Sequence, residues 1–130
     1  MAYSPTLKDH IANPRNAGKL ADANAIGEGT NPVCGDRLKL FLRITQGRVE
    51  ATGFLAYGCP PTLACGSALT ELIAGRSVDE IRAISRQDLV DAVGGLPARK
   101  QHAASLAIET LQRAIQPVEP DQRESLTIRS

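Results

Sequence analysis

The stretch that decides the fold runs from position 38 to position 67 and reads LKLFLRITQGRVEATGFLAYGCPPTLACGS. Its first part alternates apolar and polar residues between Leu38 and Ile44, and a second alternating run extends from Val49 to Leu55. Between the two runs lies Gln46-Gly47, which is placed to form a tight turn. Alternation with a period of two is typical of a strand with one buried face, so this segment predicts an antiparallel β-hairpin.

The register of this hairpin predicts that two cysteines meet. If Gln46-Gly47 is a two-residue loop, Leu38 lies opposite Leu55, and Cys34 lies opposite Cys59. The two cysteines then face each other at the open end of the sheet, although they are far apart in the chain.

Cys59 also stands where the hairpin passes into a helix. Pro60 and Pro61 favour a first helical turn, and apolar residues follow with helical spacing until Gly75. A helix start carries unpaired amides and the positive end of the peptide dipole, and both stabilise a thiolate. Cys59 is therefore predicted to be the most reactive of the three cysteines.

The composition restricts the function. The chain has 130 residues, of which 42% are hydrophobic, and is predicted to form one domain with its own core. Its formal charge is only +1 and 3% of its residues are aromatic, which argues against nucleic acid as a partner. With no evident leader and no apolar run of membrane length, we expect a cytoplasmic protein without a membrane contact. In a reducing compartment, three cysteines favour metal or redox chemistry over a disulfide framework.

Local signals predict most of the helices. Ser4 is suited to cap a short first helix, and capping boxes at Ser77 and Ser85 are suited to start two short connecting helices. A long amphipathic helix is predicted to carry His102 near its start and to end at Pro117.

The remaining segments are predicted to be irregular. The glycine-rich run 27–32 is expected to be a loop, preceded by a short edge strand at residues 25–26. His10 lies near the apolar face of the first helix and is predicted to be structural. The polar residues 117–130 are predicted to form a mobile tail, which leaves residues 1–116 as the folded domain.

Five residues of types that bind transition metals come from loops or element ends that a small α+β domain could bring together: Cys34, Asp36, Cys59, Cys65 and His102. The sequence contains no Cys-x-x-Cys pair, so the spacing of these residues fits small buried cysteines as well as a metal site. The predicted approach of Cys34 to Cys59 favours the metal site.

Six motifs are distributed over about residues 1–115: Asp9-His10 followed by Asn13-Pro14-Arg15-Asn16, Cys34-Gly35-Asp36, Tyr57-Gly58-Cys59, Ala68-Leu69-Thr70-Glu71, Gly75-Arg76-Ser77-Val78-Asp79-Glu80, and Leu96-Pro97 followed by Lys100 and His102. Together they resemble the scaffold proteins of iron–sulfur cluster assembly, the IscU and NifU N-terminal family. The resemblance implies an α+β fold in which helices cover an antiparallel sheet of about three strands. It also implies that Cys34, Asp36, Cys59 and His102 surround the site where a cluster is built.

The chain departs from that family at two cysteine positions. The family has a third cysteine directly after the histidine, where this chain has Ala103, and Cys65 stands where better-known relatives have serine. We therefore predict that Cys65 is a replacement ligand, with a small core cysteine as the alternative. Six residues of helix advance about 9 Å, whereas two sulfurs on one zinc lie roughly 4 Å apart. Cys59 and Cys65 would then bind different irons of one cluster, unless Cys59 folds back over the first turn.

The resemblance implies a scaffold that is not an enzyme and that assembles and transfers an iron–sulfur cluster, which we expect to be 2Fe–2S. The expected ligands are Cys34, Cys59 and Cys65, with Asp36 or His102 as the fourth. Zn²⁺ is the expected substitute for the cluster on isolation. The implied partners are a cysteine desulfurase, an iron donor and apo iron–sulfur acceptor proteins. Substitutions within the family's chaperone-docking segment, at Ala98-Arg99, argue against the dedicated chaperone.

Two other functions stay open. One is a zinc-dependent sulfurtransferase that accepts persulfide sulfur from a cysteine desulfurase, and the other is a regulatory or binding module that has lost cluster assembly. The sulfurtransferase branch of the family is the weaker match, because it carries an insertion between its second and third cysteines and lacks the histidine. The sequence leaves open whether the chain forms a homo-oligomer.

Overall fold

The computed structural model describes residues 3–32 and 35–115. Its elements in chain order are helix α1 (Pro5–Ala12), strands β1 (Ala25–Thr30), β2 (Arg37–Thr45) and β3 (Arg48–Tyr57), helices α2 (Pro60–Ile73), α3 (Val78–Arg82) and α4 (Arg86–Ala92), a short 3-10 helix (Ala98–Lys100) and helix α5 (Gln101–Ile115). The strands form one antiparallel sheet in the order β1-β2-β3, which confirms the predicted α+β fold. Within the described ranges, no helix has the length and apolar character that crossing a bilayer requires.

The turn between β2 and β3 forms where the sequence predicts it. Thr45 pairs with Arg48, which leaves Gln46 and Gly47 as the two loop residues. Both have positive φ angles, 55° for Gln46 and 77° for Gly47. Two central residues with positive φ match the right-handed twist of the flanking strands, and this explains why a two-residue loop closes the hairpin.

The predicted register is wrong beyond the turn, because β3 contains a bulge. Ile44 pairs with Val49 but Arg43 pairs with Ala51, so Glu50 is an extra residue on β3. From there onward every partner shifts by one position, and Leu38 pairs with Ala56 instead of Leu55. The predicted pairing of Cys34 with Cys59 cannot be compared, since Cys34 lies outside the described residues.

The bulge allows two distant apolar residues of β3 to share the core. Val49 and Phe54 are both buried, yet their odd spacing would place them on opposite faces of a regular strand. The extra residue between them restores a common face. Burial of both side chains therefore requires the bulge. The alternation of apolar and polar residues in the sequence does not reveal this requirement.

Strand β1 is longer than predicted, because the run expected to be a loop continues the strand to Thr30. The glycines of this run face α5. A Cβ on Gly27 would lie 2.5 Å from the backbone nitrogen of Ala114, and one on Gly29 would collide with the hydroxyl of Thr110. These glycines therefore allow the helix to pack directly on the strand, and they do not mark a loop here.

Helices α2 and α5 cover one face of the sheet, and the core lies between the helices and this face. The ring of Phe54 lies against Gly66 of α2, where a Cβ would come within 2.7 Å of the ring. The largest fully buried side chains include Leu7, Leu38, Leu40, Leu42, Phe54, Leu69, Ile73, Ile81, Leu89 and Leu111. The sheet and all five α-helices thus contribute to one core.

The capping predictions are confirmed. The Ser4 hydroxyl accepts from the backbone of Leu7, and full capping boxes form at Ser77 and Ser85. The predicted mobile tail at 117–130 and the domain limit at residue 116 lie outside the described residues.

Replacing Gly27 with alanine tests the close packing of α5 on β1. The new methyl group would overlap the helix backbone, so we expect Gly27→Ala to lower the free energy of unfolding by about 1–3 kcal/mol. Thr30→Ala, an exposed position of the same strand, is the matched control and should change it by less than about 0.5 kcal/mol. Urea unfolding measures both. An unchanged midpoint for Gly27→Ala would contradict the packing.

Candidate metal centre

Three elements bring potential metal ligands to one end of the sheet. Asp36 directly precedes β2, Cys59 is the N-cap of α2, and His102 lies in the first turn of α5. One ligand atom from each of these side chains lies within 4.8 Å of the other two. A thiol, an imidazole nitrogen and a carboxylate at this separation fit a transition-metal ion.

Asp36 is the centre of this group and is only 5% exposed. Its Oδ2 accepts a 2.8 Å hydrogen bond from the hydroxyl of Thr62 and a 3.4 Å bond from the Sγ of Cys59. The Nε2 of His102 lies 3.4 Å from the same oxygen. Burial raises the pKa of this carboxyl, but the hydrogen bonds from Thr62, Cys59 and His102 lower it by more, so that its net pKa lies below the ordinary value. The carboxylate is therefore ionised at neutral pH and can attract a cation.

Gly58 provides the space for this carboxylate. Its φ angle is 148°, a conformation that favours glycine. A Cβ at this position would lie 2.5 Å from the Cγ of Asp36 and would also collide with Oδ1. The glycine before Cys59 is therefore needed both for the turn from β3 and for the position of Asp36.

Cys59 occupies the predicted N-cap position, but its sulfur makes no capping hydrogen bond. The reason is the residues that follow: Pro60 and Pro61 have no backbone N–H, and the N–H of Thr62 bonds to the carbonyl of Cys59. The half-buried Sγ instead contacts Asp36 and the Thr62 hydroxyl, each at 3.4 Å. The thiol is thereby directed to the carboxylate.

His102 is oriented by its second ring nitrogen. Its Nδ1 lies 3.2 Å from the carbonyl oxygen of Arg99. A carbonyl only accepts, so Nδ1 carries the proton, and Nε2 is the nitrogen that faces Asp36. Donation from Nε2 to Asp36 then requires the doubly protonated ring, and a metal bound at this site would take the place of the Nε2 proton.

Cys65 is not part of this group and lies in the hydrophobic core. It is 0% exposed, and burial, with a smaller contribution from Cys59, raises its pKa to about 12. A metal ligand must be a thiolate, and the core disfavours this form. The ligand role predicted for Cys65 therefore rests on the sequence alone. Ala103, beside His102, is also fully buried, and Cys34 lies outside the described residues.

Two residues of the site were missed as functional residues in the sequence. Thr62 holds Asp36, and Gly58 makes room for it. The available signals were a hydroxyl residue three positions after the N-cap and a glycine directly after a strand. Neither signal identifies its partner, because Asp36 is far away in the sequence.

A second polar cluster joins α1 to α2. The Nδ1 of His10 lies 2.7 Å from the hydroxyl of Ser67, which in turn accepts from the backbone N–H of Arg15. The Ser67 hydrogen is thus directed to Nδ1, and the Arg15 guanidinium also approaches that nitrogen at 3.2 Å. Nδ1 accepts, so the ring proton lies on Nε2, 3.6 Å from Glu71. These contacts agree with the structural role predicted for His10.

Comparison with known proteins shows the family. The NifU-like N terminal domain family matches residues 2–124. The chain belongs to this family. Its relatives include the iron–sulfur cluster assembly scaffold protein IscU 1 of Archaeoglobus fulgidus, 40% identical over 113 residues that cover 87% of this chain and 74% of that protein. The corresponding IscU of Buchnera aphidicola is 38% identical over 119 residues, which cover 88% of this chain and 92% of that protein.

The fold of this NifU-like domain is also found among solved structures. The crystal structure of the N-terminal part of a NifU-like protein from Brucella abortus superposes with a TM-score of 0.72, covering 87% of this chain and 91% of that one. At 18% identity this likeness supports the fold. The family resemblance predicted from the motifs is confirmed.

The buried His10 should make the stability of this NifU-like domain depend on pH. Burial, followed by the charge of Arg15, lowers its pKa against the opposing effects of Glu71 and Asp9. The unfolded chain then binds a proton more readily, so the stabilisation present above pH about 6.5 is lost as the pH falls. We expect the urea midpoint to drop between pH 7 and pH 5.

The variant His10→Asn isolates this effect, because it keeps an acceptor near the Nδ1 position but does not titrate. Its midpoint should fall less over the same interval than that of the unaltered chain. Equal pH dependence in the two proteins would contradict the role given to His10.

Proposed function

We propose that this chain is a scaffold on which an iron–sulfur cluster is assembled before its transfer to acceptor proteins. The observation that carries the proposal is the convergence of Cys59, His102 and Asp36 at one end of the sheet. It occurs in a NifU-like domain whose curated relatives are named iron–sulfur cluster assembly scaffold proteins. The cluster is cargo that the site receives and releases.

The proposed ligands are Cys59, His102 and Asp36, together with Cys34 on the basis of the sequence motif. Two thiolates and an imidazole suit iron in a 2Fe–2S cluster, since mixed thiolate and imidazole ligation occurs for two-iron clusters. A carboxylate is a harder donor, and its weaker bond to iron suits a cluster that must leave. We propose that Cys65 is a core residue, because it is fully buried and is not among the three residues whose ligand atoms converge.

The same four donors would hold Zn²⁺ in place of the cluster. Zinc accepts thiolate, imidazole and carboxylate ligands in a four-coordinate site. The zinc-dependent sulfurtransferase reading is not favoured, because the curated relatives are named as scaffold proteins. We therefore propose zinc as a substitute occupant and a role that is not enzymatic.

The proposal assigns partners by chemistry. A cysteine desulfurase would supply sulfur, an iron donor would supply iron, and apo iron–sulfur proteins would accept the cluster, all in the cytoplasm. A dedicated chaperone is left out, because the exposed residues Ala98 and Arg99 differ from the docking segment of the resembled family.

Reconstitution of the cluster tests both the function and the ligand set. The full chain is incubated without oxygen with ferrous iron, cysteine, a cysteine desulfurase and dithiothreitol, the thiol that reduces the persulfide sulfur to sulfide, and iron and labile sulfide are then measured per chain. We expect Cys59→Ser to lose the cluster, because it removes a soft donor. Cys65→Ser should assemble a normal cluster but melt several degrees lower, because a buried hydroxyl without a partner costs about 1–3 kcal/mol.

The opposite pattern would restore the ligand role of Cys65. A Cys65→Ser chain that keeps its melting temperature and fails to hold a cluster would contradict its placement in the core. An unaltered chain that takes up zinc and persulfide sulfur but no iron would contradict the scaffold function itself.

A further inference from the structure

Thr62 differs from the other buried helical threonines in the partner of its hydroxyl. Thr110 donates to the carbonyl of Leu106, and Thr70 donates to the carbonyl of Ser67 at 2.7 Å, with the carbonyl of Arg15 farther away at 3.4 Å, so the nearest acceptor of each hydroxyl is in its own helix. Thr62 is 0% exposed, yet its hydroxyl donates across to Asp36 at 2.8 Å. The hydrogen bond joins α2 to the residue that precedes β2.

The backbone explains why this hydroxyl is directed outward from its helix. Thr62 is the third helical residue, and the carbonyl of Cys59, three positions earlier, already accepts from the backbone N–H groups of both Thr62 and Leu63, which occupy its two lone pairs. A buried hydroxyl without a partner is costly. The Oδ2 of Asp36 satisfies it, and the Sγ of Cys59 lies 3.4 Å from the same hydroxyl.

The bond selects one orientation of the carboxylate. The terminal torsion of an aspartate is broad, so burial alone does not determine the rotation of the carboxylate plane. Gly58 leaves room for Oδ1 on one side. Thr62 holds Oδ2 on the other side, where it faces both Cys59 and His102.

We propose that Thr62 is a positioning residue of the metal site: its hydroxyl fixes Asp36 in the orientation that presents Oδ2 to a metal held by Cys59 and His102. The inference rests on the proposed function, because it assumes that these three residues bind metal. Hydrogen-bonded partners of metal ligands commonly change metal affinity by about 10- to 100-fold when they are removed.

Cobalt binding measures this role without cluster assembly. The full chain, reduced and free of oxygen, is titrated with Co²⁺ at fixed pH while the thiolate-to-cobalt absorption is recorded, and the affinity is obtained by competition with a chelator. Thr62→Val keeps the shape and removes the hydroxyl, and we expect it to weaken binding about tenfold or more. Thr62→Ser restores the hydroxyl and should bind within about threefold of the unaltered chain.

Thr110→Val is the matched control, because it also removes a buried helical hydroxyl but lies outside the site. Its affinity for Co²⁺ should be unchanged even if its melting temperature falls. Equal losses of affinity in Thr110→Val and Thr62→Val would mean that a loss of packing, and not the lost contact with Asp36, causes the effect. This result would overturn the proposal.

A double-mutant cycle shows whether Thr62 acts through Asp36. In an Asp36→Ala background the hydroxyl has no carboxylate to hold, so adding Thr62→Val should change the remaining Co²⁺ affinity by less than about twofold. The same tenfold loss in both backgrounds would mean that Thr62 acts on another group, and the proposal would fail.

The titration separates this inference from the proposed function. If the unaltered chain shows no thiolate-to-cobalt absorption, the proposed metal site is contradicted, and so is the role of Thr62. If the unaltered chain binds Co²⁺ and Thr62→Val binds equally well, the site stands and only the role of Thr62 is overturned.

Discussion

The pairing of β2 with β3 is the constraint on which the site depends. Arg37 pairs with Tyr57, so the residues next to this pair, Asp36 and Gly58, are brought together. The bulge at Glu50 sets this register, because without it all pairs farther from the turn would shift by one position. The same shift would turn Phe54 away from the core. Burial of an aromatic ring and assembly of a polar site therefore depend on one irregularity in one strand.

The carboxylate of Asp36 is the group around which the other side chains of the site are arranged. Burying a carboxylate is unfavourable unless donors compensate it, and here the donors come from the start of α2 and the start of α5. These donors keep the Asp36 carboxylate ionised although it is buried. The hydrogen bonds that stabilise the buried charge therefore also align the side chains that a metal would bind.

Helix α5 is held at both ends. Near its end, Arg113 donates to the carbonyl of Glu28 on β1 at 2.9 Å, and Gly27 allows the helix backbone to approach the strand. At its start, His102 faces Asp36. Because a helix is stiff over fifteen residues, its packing on β1 also determines how closely His102 approaches Asp36 and Cys59. Packing far from the site thus contributes to the geometry of the site.

Signals carried by neighbouring residues were sufficient to predict much of the secondary structure of this protein. The Gln46-Gly47 turn, the caps at Ser4 and Ser77, and the helix start after Cys59 are determined by residues within a few positions of one another, and all are present in the structure. The motifs also predicted the family and the convergence of Asp36 and Cys59 with the distant His102.

The tertiary structure alone decided the features that depend on contacts between distant segments. Val49 and Phe54 require a bulge only because both must face the core, and the glycines of β1 form a strand only because α5 lies against them. Thr62 became part of the site because its own helix left its hydroxyl without a partner and Asp36 was within reach. Cys65 is buried because α2 presents that side chain to the core. Sequence spacing shows which residues can share a face, but burial and the partner of each polar group are determined when the elements pack.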